Sequence, residues 1–515
     1  KRAGFDIVYV YAGHDYLPFQ FLSRRTNHRG DAYGGSLENR VRLLREMIED
    51  TREAVGDTCA VAVRLAVDEL HGPEGITSEG EGREVIEMLA ELPDLWDVNV
   101  AGALGNDSRS ARFSAEGFQE DNVAFVKQLT TKPVVSVGRF TSPDRMVSQI
   151  RRGVQDFIGA ARPSIADPFL PAKIREGRED EIRECIGCNI CRAANNEGVG
   201  LRCTQNPTMG EEWRRGWHPE RIALHPKREK ALVIGGGPAG LEAALTLGRR
   251  GLDVALAEAS DQFGGRLLRE ATLPGLATWM RVRDWRLHML DKLPNVEVYP
   301  ASRMGIDDIA EFGADHVVLA TGSTWRRDAV GVYAVRPVDL PEALTPDEVF
   351  AGRKLTDPVV IYDDEHYFMG GALAEKLAAA GHAVHYVTTA PVASSWAVMT
   401  NEQDFLQARL IEVGVTIHPL KALMSQGNGE VHLACVYTGR EEAMPCGTLI
   451  LCTGRLPENS LRDLLSARGI AASRVGDCLT PSSIADAIHS AHRFARLLGE
   501  PDLPPRRERA PVRSL

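Results

Sequence analysis

Residues 230–259, KALVIGGGPAGLEAALTLGRRGLDVALAEA, decide the fold class of the second half of the chain. A short apolar strand, a glycine turn, a helix and a second strand follow one another within about thirty residues, which predicts a Rossmann-like α/β nucleotide-binding unit. Gly235 would allow the tight turn, Gly237 the approach of a pyrophosphate, and Gly240 the packing of helix on strand. Glu258 would hold a ribose hydroxyl. We expect ADP or another adenine nucleotide here, with a purely structural Rossmann unit as the alternative.

A second strand, helix and strand unit occupies 358–388, but its turn is acidic. Asp363, Asp364 and Glu365 stand where the first unit has glycines. Three carboxylates would repel a pyrophosphate, so we expect a degenerate, NAD(P)H-like domain that serves as scaffold.

Toward the N-terminus, short apolar β-rich runs alternate with helical stretches from residue 5 to about 163, which is typical of a parallel sheet. Polar residues follow nearly every strand, as in a (β/α)8 TIM barrel. Only about five of eight strands are present, so we expect the chain to be an N-terminally truncated member of its family. The predicted strands span 6–11, 59–65, 95–101, 133–137 and 156–160.

Four polar residues at the ends of the first three strands are candidates for chemistry. Tyr11 and His14 follow the first strand, and Asp107 lies just beyond the third, where it would orient His14. Arg64 ends the second strand, where its charge would stabilise an anionic reduced flavin. The alternatives are that Tyr11 and His14 are hydrogen-bonded rim residues and that Asp107 belongs to an ordinary turn.

The last two strands end in turns that carry arginines. Gly138 and Arg139 end one strand, and Ala161 and Arg162 follow the other. TIM barrels bind phosphate at this position, so we expect these residues to contact a cofactor phosphate. The alternative is that both arginines are surface charges.

Four cysteines lie close together in the pattern C-x2-C-x2-C-x11-C. Three thiolates on one tight loop and a fourth from a short excursion can surround an iron–sulfur cubane. Zinc is the alternative, although zinc sites more often take two separated pairs of cysteines. The predicted ligands are Cys185, Cys188, Cys191 and Cys203.

Composition and charge narrow the class of protein. The 515 residues carry a net charge of −11 with 25% charged residues, which disfavours nucleic-acid and anionic-membrane binding. The sequence contains no apolar run long enough to span a bilayer, and we recognise no signal peptide. The other five cysteines are scattered, which favours reduced thiols and a cytoplasmic enzyme.

We predict domains at 1–175 (barrel), 176–227 (cluster segment and linker), 228–340 plus 475–515 (nucleotide binding) and 341–474 (degenerate).

Taken together, these motifs resemble the trimethylamine, dimethylamine and histamine dehydrogenase family, a branch of the old yellow enzyme flavoproteins. The resemblance covers nearly the whole chain. It depends most on YVYAGHDYL, DAYGGSLENR, GAARPSIADPFLP, CIGCNIC, CTQNPTMGEEWRRGWHPE and GGGPAGLEAA.

The resemblance implies an FMN-bearing barrel, a [4Fe–4S] cluster, a bound ADP and electron delivery to an electron-transferring flavoprotein, in an enzyme that we expect to be a homodimer. Tyr11, His14 and Asp107 match the family's catalytic triad, and Arg64 its flavin-contacting arginine. In such enzymes the FMN is attached through a cysteine of the early barrel, which this sequence does not contain.

Two departures concern the substrate pocket. The family's methylamine enzymes grip a small alkylammonium ion with aromatic residues. Here Leu104 and Asn195 stand where tryptophans are expected. The resemblance therefore implies a larger or more polar amine than trimethylamine.

We hypothesise that the α C–H of a secondary, tertiary or biogenic amine is oxidised and that water then hydrolyses the iminium to a carbonyl and a smaller amine. One alternative is an NADPH-dependent enoyl reductase of the 2,4-dienoyl-CoA type. Another is a non-catalytic electron-carrier subunit.

Overall fold

A computed structural model of the chain describes residues 2–100 and 107–500. They divide into two compact units. The described residues of the first lie within Lys1–Asn206, Arg269–Arg281 and Trp325–Gly454, and those of the second within Pro207–Leu268, Val282–Thr324 and 455–500. Among the described residues, no helix combines the length and apolar composition needed to cross a bilayer.

The first sheet confirms the predicted barrel strands. Its five parallel strands neighbour one another in chain order, as they do in part of a (β/α)8 barrel. Strand β2 is almost wholly buried, as is typical of parallel strands covered on both faces. The strands are β1 (Ile7–Ala12), β2 (Ala60–Asp68), β3 (Leu95–Val100), β4 (Val134–Ser136) and β5 (Phe157–Ile158).

Helices connect these strands and cover the sheet. The side chain of Ser36 caps α2 by accepting a hydrogen bond from the Asn39 amide, and Val41, Leu44 and Ile48 pack inward from one face of this helix. The helices are α1 (Leu17–Leu22), α2 (Leu37–Val55), α3 (Glu81–Leu89), α4 (Glu120–Val123), α5 (Val126–Leu129), α6 (Pro143–Arg151), α7 (Ala161–Ala166) and α8 (Leu170–Arg175).

The cysteine segment is mostly irregular. Two short helices interrupt it, α9 (Ile190–Asn196) and α10 (Glu212–Arg215). Cys191 lies in the first turn of α9.

The sequence quoted first forms the centre of a second parallel sheet, as predicted. The strand order is β19-β9-β6-β7-β8. Since β19 pairs with β9, this sheet includes residues 472–474, which lie just before our predicted boundary at 475. The elements are β6 (Lys230–Ile234), α11 (Pro238–Arg249), β7 (Asp253–Ala257), α12 (Leu267–Glu270), α13 (Arg281–Asp291), β8 (Val296–Tyr299), α14 (Ile306–Phe312), β9 (His316–Leu319) and β10 (Ser323–Trp325).

The acidic unit also has its predicted strand, helix and strand. A four-stranded parallel sheet, β13-β12-β11-β17, is accompanied by an antiparallel sheet, β14-β15-β16. The elements are α15 (Pro346–Phe350), β11 (Val359–Asp363), α16 (Met369–Ala379), β12 (Val384–Thr388), α17 (Gln403–Glu412), β13 (Thr416–His418), β14 (Lys421–Gly427), β15 (Glu430–Cys435), β16 (Glu441–Pro445) and β17 (Thr448–Cys452). The chain then returns to the nucleotide sheet through β18 (Arg455–Pro457), α18 (Ser460–Ala467), β19 (Ala472–Arg474) and α19 (Ile484–Leu497).

Candidate active site and cofactor sites

Three predicted catalytic residues meet at the carboxyl ends of β1 and β3. The Tyr11 hydroxyl lies 2.5 Å from Nδ1 of His14, and Nε2 of His14 lies 2.9 Å from Oδ2 of Asp107. His14 adopts a left-handed conformation, with φ of 51°, which turns the chain directly after β1. Both imidazole nitrogens are satisfied when Tyr11 donates to Nδ1 and Nε2–H donates to Asp107.

The surroundings fix the protonation states of Tyr11 and Asp107, the two outer members of this set. Burial raises the pKa of the Tyr11 hydroxyl, against the opposing charge of Arg64, so Tyr11 stays protonated at neutral pH. Burial alone would also raise the pKa of Asp107, but the hydrogen bond and charge of His14 outweigh it and hold that pKa below its ordinary value. The site therefore holds a hydroxyl donor at one end and a carboxylate at the other.

Arg64 lies beside this set, and its main partner is Asp97 on β3. Nη1 of Arg64 lies 3.0 and 2.8 Å from the two carboxylate oxygens of Asp97. The guanidinium also lies over the Tyr11 ring, 5.7 Å from its centroid. Burial raises the pKa of Asp97, although the charge of Arg64 opposes this. Asp97 was not predicted, although its signal was present as a charged residue within a predicted parallel strand.

Buried polar atoms near these strand ends fit a flavin. Nε of Arg64, Nε of Arg139 and both side-chain polar atoms of Asn99 are buried without a hydrogen-bond partner in the described part of the chain. Leaving such atoms unpaired costs about 1–3 kcal/mol each, so a bound group that supplies donors and acceptors is favoured. A flavin ring carries both kinds of atom at its pyrimidine edge. Asn99 was also missed in the sequence, where it alternates with Asp97 along β3.

The two arginines of the predicted phosphate site contact backbone carbonyls. Arg139 directly follows Gly138, and its Nη2 donates to the carbonyl of Ser114 at 2.8 Å. Nη1 of Arg162 donates to the carbonyl of Arg109 at 2.7 Å and to Oδ1 of Asn189 at 2.5 Å. Arg162 follows Ala161 in the first turn of α7. Both side chains are thus directed into the protein rather than into solvent.

The four predicted cluster cysteines lie near one another. Burial raises the pKa of Cys203 to about 12 and raises that of Cys188 and Cys191, and the charge of Cys185 adds to each of these shifts. Such thiols become thiolates at neutral pH only beside a strong positive charge, which a metal centre supplies. The four cysteines therefore fit a metal centre chemically.

Polar contacts surround these sulfurs. The Gly187 amide lies 3.4 Å from Sγ of Cys185, and Oγ1 of Thr204 lies 3.2 Å from Sγ of Cys188. Hydrogen bonds of this kind to ligand sulfurs tune the potential of iron–sulfur clusters.

A single zinc ion requires a closer approach of the four sulfurs than a cluster does. Within residues 2–100 and 107–500, no three His, Cys, Asp or Glu side chains converge closely enough to hold one metal ion. Sulfurs around one zinc ion would lie about 3.8 Å apart, since each Zn–S bond is about 2.3 Å. A polynuclear cluster places its own iron and sulfide atoms between the ligands, so it tolerates a wider spacing.

The glycine turn of β6 and α11 has the shape of a nucleotide cradle. Gly235 has φ of 104°, and a Cβ on Gly240 would lie 1.8 Å from the Gly235 carbonyl oxygen. A Cβ on Gly237 would meet only the Cα of Gly265, at 4.0 Å, so the space beside the Gly237 Cα is open. The carboxylate of Glu258 accepts a hydrogen bond from the Gly236 amide at 2.6 Å. These features fit a pyrophosphate on the helix N-terminus.

The acidic turn after β11 is closed by its own carboxylates. Asp363 accepts hydrogen bonds from the Glu365 and His366 amides at 3.3 and 3.1 Å, and its Cγ lies 2.8 Å from the ideal Cβ position of Gly370 in α16. Asp364 accepts from the Tyr333 and Ala334 amides at 3.0 and 2.8 Å.

Burial raises the pKa of Asp363, which favours its neutral form. Electrostatic repulsion alone therefore does not explain why this turn would exclude a phosphate. The carboxyl of Asp363 itself occupies the amide donors that a phosphate would use.

The two residues predicted for the substrate pocket are Leu104 and Asn195. Leu104 lies outside the described residues. Asn195 is exposed in the last turn of α9, where its carbonyl accepts a hydrogen bond from Gly198 at 3.1 Å.

Two family sequence patterns match the chain. Residues 1–181 match the NADH:flavin oxidoreductase / NADH oxidase family, and residues 229–480 match pyridine nucleotide-disulphide oxidoreductase. Dimethylamine dehydrogenase from Hyphomicrobium sp. (strain x) is 39% identical over 98% of this chain and 74% of its own length.

Two solved structures are similar over almost the whole chain. The 6-hydroxypseudooxynicotine amine oxidase HisD from Pseudomonas geniculata N1 is 49% identical with a TM-score of 0.93, covering 97% of this chain and 76% of its own. Histamine dehydrogenase from Rhizobium sp. 4-9 is 47% identical with a TM-score of 0.94, covering 98% and 75% respectively. The chain therefore belongs to the flavin-dependent oxidoreductase family that includes dimethylamine dehydrogenase and histamine dehydrogenase.

Proposed function

We propose that this protein is an amine dehydrogenase that oxidises a secondary, tertiary or biogenic amine through FMN and a [4Fe–4S] cluster. The observation that carries the proposal is the hydrogen-bonded set Tyr11, His14 and Asp107 beside Arg64 at the barrel's strand ends. The names of the similar proteins, two dehydrogenases and one oxidase of amines, support the same reaction class.

The residues that would hold FMN are those with buried, unpaired polar atoms, together with the turns predicted to bind its phosphate. Arg64 and Asn99 would contact the ring, and Arg139 with Gly138, Ala161 and Arg162 would lie toward its phosphate. Cys185, Cys188, Cys191 and Cys203 would ligate the cluster, and the turn from Gly235 to Gly240 with Glu258 would hold ADP. When bound, FMN supplies a two-electron acceptor for the amine, and the cluster supplies a one-electron path outward.

The chain's own contribution to the reaction is control of protons. Oxidation of a secondary amine to an imine removes two electrons and two protons, and the amine reacts through its neutral form because the nitrogen lone pair must be free. His14 can take one of these protons at Nδ1, and Asp107, whose pKa stays low, stabilises the resulting imidazolium, while the other proton leaves the α carbon with the electron pair. Tyr11 keeps its hydroxyl proton, and its oxygen can accept a hydrogen bond from the protonated Nδ1 of His14. Water then adds to the imine and yields a carbonyl compound and a smaller amine.

The substrate class follows from Asn195. An exposed amide in place of an aromatic residue cannot grip a small alkylammonium ion by cation–π contact, but it can hydrogen-bond a polar group. We therefore propose a larger or more polar amine than trimethylamine as substrate and an electron-transferring flavoprotein as acceptor.

Stopped-flow mixing of the full-length, flavin-loaded protein with a panel of amines tests the proposal. The panel contains trimethylamine, dimethylamine, histamine and a longer polar secondary amine. We expect flavin bleaching with at least one polar amine and little with trimethylamine. Bleaching by none of them would refute amine oxidation.

NADPH serves as the counter-test in the same instrument. Since Asp363 occupies the amide donors of the second nucleotide-like turn, we expect no rapid flavin reduction by NADPH. Rapid reduction would favour the enoyl reductase alternative.

Iron and sulfide analysis of Cys203→Ser, with Cys435→Ser as matched control, tests the cluster assignment.

A further inference from the structure

Asn189 lies in the cysteine loop, between Cys188 and Cys191, but its side chain leaves that loop. Its Nδ2 donates to the carbonyl of Ser108 at 2.6 Å and to the carbonyl of Thr400 at 2.8 Å. Its Oδ1 accepts from Arg162 at 2.5 Å. The residue is 2% exposed, so these three bonds form in the protein interior.

The partners allow one orientation of the amide. Two carbonyl oxygens require the NH₂ group, and a guanidinium requires the oxygen, so all three contacts fail if the amide is flipped. The backbone also selects the residue type, because Asn189 has φ of 57° and asparagine enters this left-handed region more readily than most residues. Its carbonyl begins α9 by accepting from the Ala193 amide at 2.9 Å.

Two further bonds hold the segment that follows Asp107. Arg162 donates to the carbonyl of Arg109 at 2.7 Å, and the Ala111 amide donates to the Gly187 carbonyl at 2.9 Å. A Cβ on Gly187 would lie 2.6 Å from the Cβ of Ala111, so the two segments are in close contact. Residues 108, 109 and 111 are thus each bonded either to the cysteine loop or to Arg162.

We infer that Asn189 is a positioning residue that fixes the Asp107 carboxylate against His14, so that the geometry of the triad depends on the folded cysteine loop. Asn189 acts through the Ser108 carbonyl, one residue from Asp107, and through Arg162. The inference deepens the proposed function and rests on it for the role of Asp107. It assigns no contact of Asn189 with substrate.

Two substitutions separate this role from the fold of the loop. Asn189→Gly keeps the left-handed backbone and deletes the amide. Asn189→Asp keeps the side-chain size and the contact with Arg162. It replaces the donating NH₂ group by a carboxylate oxygen that faces the Ser108 and Thr400 carbonyls. Asn196→Ala is the matched control, because Asn196 lies on the same α9 and its Nδ2 donates to the Met399 carbonyl at 2.9 Å, but it is exposed. Iron and sulfide content is measured first in each full-length variant.

Hydrogen exchange of a peptide covering 107–114 measures positioning without any amine. We expect exchange at the Ala111 amide to rise about tenfold or more in both Asn189 variants, and to stay unchanged in Asn196→Ala. Unchanged exchange in both Asn189 variants would overturn the inference. Loss of the cluster in both, with its retention in Asn196→Ala, would also overturn it, because Asn189 would then serve only the loop.

Amine-driven flavin bleaching tests the link to Asp107. We expect each Asn189 variant to slow bleaching about tenfold in the wild-type background but less than about threefold in Asp107→Asn, since residues that act together are non-additive. The inference would be overturned if each Asn189 substitution slowed bleaching by the same factor in Asp107→Asn as in the wild type. If no amine bleaches the wild type, the proposed function fails, whereas hydrogen exchange still decides whether Asn189 positions the segment.

Discussion

Nε2 of His14 lies 2.9 Å from Oδ2 of Asp107, so a residue that follows β1 and one that follows β3 share a hydrogen bond. His14 and Asp107 lie far apart in the sequence, so the local sequence around one does not include the other. The parallel register of β1, β2 and β3 brings their carboxyl ends to one edge of the sheet, and this edge carries the proposed reaction.

Asp107→Asn is expected to slow amine-driven flavin bleaching about 100-fold while flavin content stays unchanged. The amide cannot stabilise a protonated His14, and general acid–base groups contribute about 10² to 10⁴ in rate. Stopped-flow absorbance measures the effect. Asp121→Asn, an exposed carboxylate of the same unit, is the control and should react like wild type. A rate for Asp107→Asn within twofold of wild type would contradict the assigned role.

Arg64→Met is expected to lower the two-electron flavin potential by about 30–60 mV, because a positive charge no longer stabilises the reduced, anionic flavin. Spectroelectrochemical titration of the flavin-loaded protein measures the potential. Arg64→Met with Asp97→Asn is the control, since it also removes the carboxylate that the single variant leaves unpaired. If both variants keep the wild-type potential, Arg64 does not contact the flavin.

Gly237→Ala is expected to weaken ADP binding at least about tenfold without lowering the unfolding temperature of the nucleotide-free protein. The added methyl occupies the open space beside the Gly237 Cα, within the glycine turn, where its nearest neighbour is 4.0 Å away. Gly240→Ala should instead unfold several degrees lower without nucleotide, since its Cβ would overlap the Gly235 carbonyl. Calorimetry and thermal unfolding with and without ADP separate the two. Equal ADP affinity in Gly237→Ala would argue against a pyrophosphate there.

Glu242→Gln is expected to destabilise the protein at neutral pH by about 3 kcal/mol, because the buried charge of Arg286 would lose the Glu242 carboxylate at its Nε. In the wild type, Nε of Arg286 and Nδ1 of His492 each lie 2.8 Å from Glu242. Despite burial, these neighbours lower the pKa of Glu242 to about 2.

The folded pKa of Glu242 is below its unfolded value, so its stabilisation is present above about pH 4.5 and is lost as pH falls toward 2. The difference in unfolding temperature between wild type and Glu242→Gln should therefore shrink from pH 5 to pH 3. Asp253→Asn, which loses an exposed pair with Arg228, should show little difference at either pH. A difference for Glu242→Gln that does not change with pH would contradict this linkage.

The acidic turn shows where local pattern and tertiary structure separate. Its sequence correctly predicts a strand, helix and strand, since apolar periodicity is a local property. The pattern suggested that three carboxylates would repel a pyrophosphate. Asp363 and Asp364 instead are buried and serve as internal acceptors, because Tyr386, Thr389 and the Ala334 amide, distant in sequence, converge on them.

Asn99 and Asn189 show the same limit in the active half. A single polar residue in a buried strand, or an asparagine in a cysteine loop, has no distinctive spacing to mark it. Their roles depend on unpaired atoms and on bonds to Ser108, Arg162 and Thr400 that exist only after folding.

By itself, the sequence determined the elements of this protein: the five barrel strands, the glycine turn of 230–259 and the spacing of the four cysteines. Each depends on residues close in the chain, through periodicity, turn chemistry or ligand spacing. Only the tertiary structure decided which residues meet, joining His14 to Asp107, Arg64 to Asp97 and Asn189 to the segment beyond Asp107. The physical reason is that hydrogen bonds and ion pairs act over a few ångströms, and only folding brings residues so distant in sequence within that range.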